Sequence, residues 1–187
     1  HTSITLALIS GIIMAFVGLL FSKVALEIMS TPDNVIDQST LYMRIYFLGM
    51  PFFMLYNYGA AGLRAVGDTK RPLIFLIAAG IINACLNMVL VIVFNLGVAG
   101  VAIATIFSQF ISCVLVLRCL NKTDASYQLR FSKLKIKGYY LKQIFQVGIP
   151  AGIQSTVINF SNALLQSSVN SFGSTAMAGY TAANNIL

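Results

Sequence analysis

The sequence predicts an all-α membrane protein, a polytopic bundle of transmembrane helices, on three observations. Of its 187 residues, 58% are hydrophobic and only 9% charged, against about 25% charged residues in a soluble domain. So few charges cannot cover the surface of a water-soluble body. Long uncharged stretches recur along the chain, each sufficient for the roughly 20 residues that cross a ~30 Å hydrocarbon layer. Lysine and arginine gather in two of the polar breaks between them. The wealth of Ile, Leu, Val and Phe also excludes a disordered chain.

The first span is expected over 4–29. Ile4–Ser22 is uncharged and has no basic residues before it, which separates it from a signal peptide. Ser30-Thr31-Pro32-Asp33-Asn34 ends it, in a loop made acidic by Glu27, Asp33 and Asp37. The second span, 39–65, runs from near Arg44 to near Arg64. Pro51 lies within it and should kink the helix or open a polar gap. After a polar turn at Gly67–Pro72, residues 73–117 are uncharged and too many for one crossing. Asn95–Gly100 divides them into spans of 73–94 and 100–118, expected to be antiparallel neighbours.

Residues 121–142 form a basic stretch in which Leu134, Ile136, Tyr139 and Tyr140 interleave with lysines. A segment lying on the membrane surface and a solvated loop fit this pattern equally. Residues 143–187 are again uncharged, and Ser171–Ser174 separates a span of 144–172 from the start of another at 175–187. The expected organisation is therefore one helical lobe at 1–120, a linker at 121–142 and the start of a second lobe at 143–187. Because the chain opens on His1 and closes inside an apolar run, it is expected to be an internal segment of a longer protein.

Orientation follows from charge. With the 64–72 turn inside, alternate crossing places 118–142 inside as well. These two regions hold Arg64, Lys70, Arg71, Arg118, Lys122, Arg130, Lys133, Lys135, Lys137 and Lys142; only Lys23 and Arg44 lie elsewhere. That asymmetry matches the positive-inside rule. It explains the net charge of +7 without a nucleic-acid partner.

The chemistry-bearing residues exclude more than they include. Cys85, Cys113 and Cys119 have no paired spacing, and His1 is the only histidine. No Ser–His–Asp or Cys–His arrangement is possible, and no zinc site or disulfide framework is indicated. The expectation is a non-enzyme without cofactor or resident metal. All five acids fall in loops or at a helix end, so an intramembrane proton-carrying carboxylate is not apparent. The spans carry amides and hydroxyls instead. Asn83 and Asn87 share a helix face. Thr105, Ser108, Gln109 and Ser112 make a stripe on the next span, and Gln154, Ser155, Asn159, Asn162, Gln166 and Asn170 make another after the linker. Tyr56, Asn57 and Tyr58 sit deep in the second span. An amide facing lipid would lose its hydrogen bonds. One such residue is explained by bonding between helices; a whole set points to a polar cavity. Small-residue patches at Gly59–Gly62, Gly97–Gly100 and Gly148–Gly152 suit close helix packing.

The string Gly62-Leu-Arg-Ala-Val-Gly-Asp-Thr-Lys-Arg-Pro72 resembles the loop after the fourth span of the multidrug and toxic compound extrusion (MATE) family. Ile81-Ile-Asn-Ala-Cys-Leu-Asn87, Gly97-Val-Ala-Gly-Val-Ala-Ile-Ala-Thr105, Gly148-Ile-Pro-Ala-Gly152 and Phe172-Gly173 with Ala176–Gly179 are similar to the family in the same order. The resemblance implies a MATE-type fold of twelve spans in two lobes, of which this chain supplies roughly spans three to eight. It implies a multi-pass protein of a bacterial inner or cell membrane. It also implies a secondary antiporter that exports amphipathic or cationic small molecules against Na⁺ or H⁺ by alternating access. Asn83, Asn87 and Thr105 would then line the first lobe's cavity, with Tyr56, Asn57, Gln109, Gln154 and Asn159 as further candidates and Pro51 and Pro150 as hinges. Two departures stand out. Part of the family has an aspartate where this chain has Asn87, and another branch has a glutamate mid-way along the seventh span, where this chain reads Val157–Phe160. A lipid-linked oligosaccharide flippase of the wider superfamily is the alternative, disfavoured by the lack of central cations. A non-transporting membrane scaffold subunit is the other.

Overall fold

The computed structural model describes residues 1–28, 33–123, 128–130 and 134–170. It divides into two units, residues 1–136 and 137–187. The expected break at 171–174 and the last span, 175–187, lie outside the described residues.

In the first unit the chain folds as α1 (Thr2–Ile28), α2 (Asp33–Leu48), α3 (Met50–Ala65), α4 (Lys70–Met88), a π-helical turn (Val89–Val93) and α5 (Gly97–Lys122). Three segments, Thr2–Glu27, Lys70–Val93 and Gly97–Lys122, are long and apolar enough to cross a membrane. The protein is a multi-pass membrane protein. The expected single span at 39–65 is two helices. Gly49 N–H turns back to the Tyr46 carbonyl at 2.9 Å, and Pro51 occupies the first turn of α3. Proline lacks the N–H that would continue the α2 ladder, and it is tolerated where a helix begins. The chain therefore starts a new helix there.

Helix α1 buries small side chains and exposes large ones. Ile4, Ala7, Gly11, Ala15, Gly18 and Ser22 are buried at helical spacing, while Ile12, Ile13, Phe16 and Leu20 are more than half exposed. In water this would be inverted. In lipid, burying large apolar groups brings no hydrophobic gain, and small residues let backbones approach. The stripe seats α1 against α2 and α3. A Cβ on Gly11 would lie 2.6 Å from Pro51 Cα, and one on Gly18 would collide with the Phe47 ring.

Helix α5 is the central element, packing on α2, α3, α4 and the π turn. Its buried face is Gly100, Ala102, Ala104, Ser108, Ser112, Cys113, Val116 and Leu120. Gly59 of α3 abuts Val116, and Phe52 meets Phe110 edge-on at 5.2 Å. Gly62, from the same small-residue patch, has nothing within 4 Å of its Cβ position, so only half of that patch makes a close approach.

Both turns framing α4 have local causes. At the end of α3, Gly67 adopts φ +89°. Its N–H reaches the Arg64 carbonyl at 3.0 Å, and the Asp68 N–H reaches Leu63 at 3.0 Å. This double closure needs a left-handed residue, for which glycine is best suited. Asp68 then accepts the Arg71 N–H at 3.2 Å and pairs with the Arg71 guanidinium at 3.3 Å, fixing the start of α4. At the other end, Asn95 and Gly97 both have φ +52°, reversing the chain so that Gly100 lies against Leu90. With Arg71 Nη1 3.7 Å from Cys119 Sγ at the opposite end, α4 and α5 run antiparallel.

The polar stretch after α5 folds back on the bundle. Leu129 is buried in the core cluster with Ile4, Leu63, Val116 and Leu120, and its N–H donates to the Leu120 carbonyl at 2.9 Å. Leu134 packs against the same cluster, and Thr2 Oγ1 donates to the Lys135 carbonyl at 3.2 Å. Leu129 and Leu134 thus anchor the 128–130 and 134–136 segments to the bundle, while Arg130, Lys135 and Ile136 stay exposed. These contacts bring the start of α1, the α3–α4 turn, the end of α5 and this segment to one end. Arg64, Lys70, Arg71, Arg118, Lys122, Arg130 and Lys135 all belong to that end.

The second unit is described through one helix, α6 (Gly138–Asn170), with Pro150 inside it.

Candidate functional site

Asn83 and Asn87 stand one turn apart on α4, facing Thr105 and Ser108 of α5. The two hydroxyls first satisfy their own helix: Thr105 Oγ1 donates to the Val101 carbonyl at 2.9 Å and Ser108 Oγ to the Thr105 carbonyl at 2.8 Å. Their oxygens then remain to accept. Asn83 Nδ2 reaches Thr105 Oγ1 at 3.5 Å and Ser108 Oγ at 3.4 Å, while Asn83 Oδ1 accepts from Asn87 Nδ2 at 3.0 Å. The relay runs Asn87 to Asn83 to the α5 hydroxyls and ends in an open acceptor. Asn87 Oδ1 is buried and has no donor among the described residues. A buried acceptor without a donor costs about 1–3 kcal/mol.

Thr105 also borders a second feature. It lines a small cleft, with room for about one water, with Ile106 and Gln109 of α5 and Tyr46, Gly49, Met50 and Phe53 of the α2–α3 break. Irregular backbone at membrane depth is tolerated where protein or a cavity surrounds it. The break created by Gly49 and Pro51 opens beside the same α5 face that carries the amide relay.

Within the first unit, Tyr56 and Asn57 are not brought together with this cluster. Tyr56 is buried, and its hydroxyl donates to the Pro72 carbonyl at 3.1 Å, so it ties α3 to the start of α4. Asn57 Nδ2 turns back to the Phe53 carbonyl of its own helix at 2.8 Å. Gln154 and Asn159 are exposed on α6 in the second unit, where neighbouring hydroxyls of Thr156 and Ser161 donate to carbonyls one turn back. Tyr46 was not among the sequence candidates, because nothing in its spacing shows that α2 ends two residues later. Ser108 belonged to the expected α5 stripe; only the structure shows that it accepts from Asn83.

The first part of the chain, residues 1–89, matches the MatE family model. Over 194 aligned residues the chain is 34% identical to the probable multidrug resistance protein YoeA of Bacillus subtilis, covering 99% of this chain and 42% of that protein. It is 33% identical over 182 residues to the probable multidrug resistance protein YpnP of the same organism, covering 96% of this chain and 40% of that one. A crystal structure of MATE in the bent conformation shares the fold with a TM-score of 0.87 at 22% identity, over 98% of this chain and 41% of that one. The chain thus spans about two fifths of the length of the proteins it matches.

Proposed function

The chain belongs to the MATE family, and from that premise we propose that the full-length protein is a secondary antiporter exporting amphipathic or cationic compounds in exchange for Na⁺ or H⁺. The observation that carries this reading is the polar relay of Asn83, Asn87, Thr105 and Ser108 inside a bundle whose outer surface is apolar. Helix packing alone does not require an acceptor left open at the end of such a relay. A ligand that donates a hydrogen bond, or a desolvated cation, completes it.

Amides bind but do not exchange protons near neutral pH. In this reading the relay holds substrate or an alkali cation, and any proton coupling resides in carboxylates elsewhere in the full-length protein. Gln109, beside the cleft, acts as a weaker polar contact in the first unit, and Gln154 and Asn159 on α6 act as polar contacts of the second. The Gly49–Pro51 break and Pro150 supply the points at which helices bend as the lobes alternate.

The test is dye efflux from proteoliposomes containing the full-length protein, with a Na⁺ gradient compared against a pH gradient. The proposal expects efflux driven by one of them and at least several-fold slower in Asn87→Ala. Correctly inserted protein that moves no amphipathic cation under either gradient would refute it.

A further inference from the structure

We propose that the corner formed by the start of α4 and the end of α5 is a binding site for an anionic phospholipid. The inference rests on the placement of charge over an apolar face and does not depend on the transport reading.

Lys70 opens α4, and Ile74, Ile77 and Ile81 follow it at helical spacing on the same face. These isoleucines are 59%, 54% and 61% exposed, and among buried α4 residues only Pro72 and Ala79 appear. The face below the lysine is thus a long apolar strip open to the outside of the bundle. Above it, Arg71 Nη1 reaches Cys119 Sγ at 3.7 Å, which brings the end of α5 against the start of α4. Arg118, next to Cys119, and Lys122, one turn further, are both exposed. Asp68 is committed to the Arg71 side chain at 3.3 Å, so the corner keeps a net positive charge. Cations at the membrane interface above an apolar strip that the described residues leave exposed complement a phosphate headgroup with its acyl chains beneath. Basic pockets between spans are a recognised setting for such headgroups.

Binding is measured on the purified full-length protein in detergent, titrated with phosphatidylglycerol, phosphatidylcholine or soluble glycerol phosphate, and read by native mass spectrometry and by thermal unfolding. Phosphatidylglycerol is expected to bind and raise the unfolding midpoint, and the other two to do neither. Each of Lys70→Gln, Arg118→Gln and Lys122→Gln should weaken phosphatidylglycerol binding roughly fivefold. Lys70→Arg should retain it, as should Lys135→Gln, which lies at the same end but outside the corner. Equal binding of phosphatidylcholine, equal response to glycerol phosphate, or wild-type affinity in the three corner variants would each overturn the assignment. Loss of binding in Lys135→Gln would also overturn it, because diffuse charge would then suffice.

Discussion

Gly11 of α1 lies so close to Pro51 that a Cβ there would come 2.6 Å from the proline Cα. The neighbour is backbone and has no flexible end to move aside. Gly11→Ala should therefore push α1 away from the α2–α3 break and destabilise the full-length protein by about 1–3 kcal/mol, as overpacking does. A lowered unfolding midpoint checks this. Gly62→Ala, at a site with nothing within 4 Å, is the control and should leave the midpoint unchanged.

Asn87→Ala separates binding from stability. The substitution removes the bond from Asn87 to Asn83 on the same helix, and a hydrogen bond contributes about 0.5–1.5 kcal/mol. It also removes a buried acceptor that has no donor among the described residues. The two effects roughly offset, so the unfolding midpoint should stay near wild type while efflux falls several-fold. A parallel loss of both would reduce Asn87 to a packing residue. Thr105→Ala should lower efflux likewise, since Thr105 borders both the relay and the cleft.

Tyr56→Phe keeps the ring and removes the hydroxyl that reaches the Pro72 carbonyl. It should cost about 0.5–1.5 kcal/mol of stability and leave the set of exported compounds unchanged. A changed substrate range with an unchanged midpoint would return Tyr56 to the cavity lining.

Leu129 is 3% exposed within the core cluster. Leu129→Ala should cost about 2–5 kcal/mol and release the segment after α5, seen as faster limited proteolysis between 123 and 136. Unchanged proteolysis would mean that the backbone bond to Leu120 holds the segment alone.

Much of this was legible in the sequence because the bilayer imposes simple rules. Uncharged length marked the helices, and Asn95–Gly100 marked the turn between α4 and α5. Spacing alone placed Asn83 with Asn87, and Thr105 with Ser108. What stayed hidden depends on which neighbour each face meets. Pro51 announced a disturbance, but whether it kinks a helix or starts one depends on how Gly49 closes the preceding turn. Tyr56 looked like a cavity residue because its partner, a backbone carbonyl, leaves no trace in side-chain chemistry. Leu129 sat in a stretch whose pattern fitted a solvated loop or a membrane-surface segment equally, although one leucine at the right distance from α5 was enough to pin it. The small-residue stripe of α1, at positions 7, 11, 15, 18 and 22, was readable by its spacing and was masked by the large apolar residues between them.

The account as a whole depends on how the chain threads the membrane. In a cysteine-free background of the full-length protein, single cysteines at exposed positions of opposite ends, Asn121→Cys after the core of α5 and Phe94→Cys at the α4–α5 turn, can be treated with a membrane-impermeant thiol reagent. The basic end is predicted to lie inside the cell, so Phe94→Cys should react in intact cells and Asn121→Cys only after permeabilisation. Labelling of Asn121→Cys from outside intact cells would contradict it.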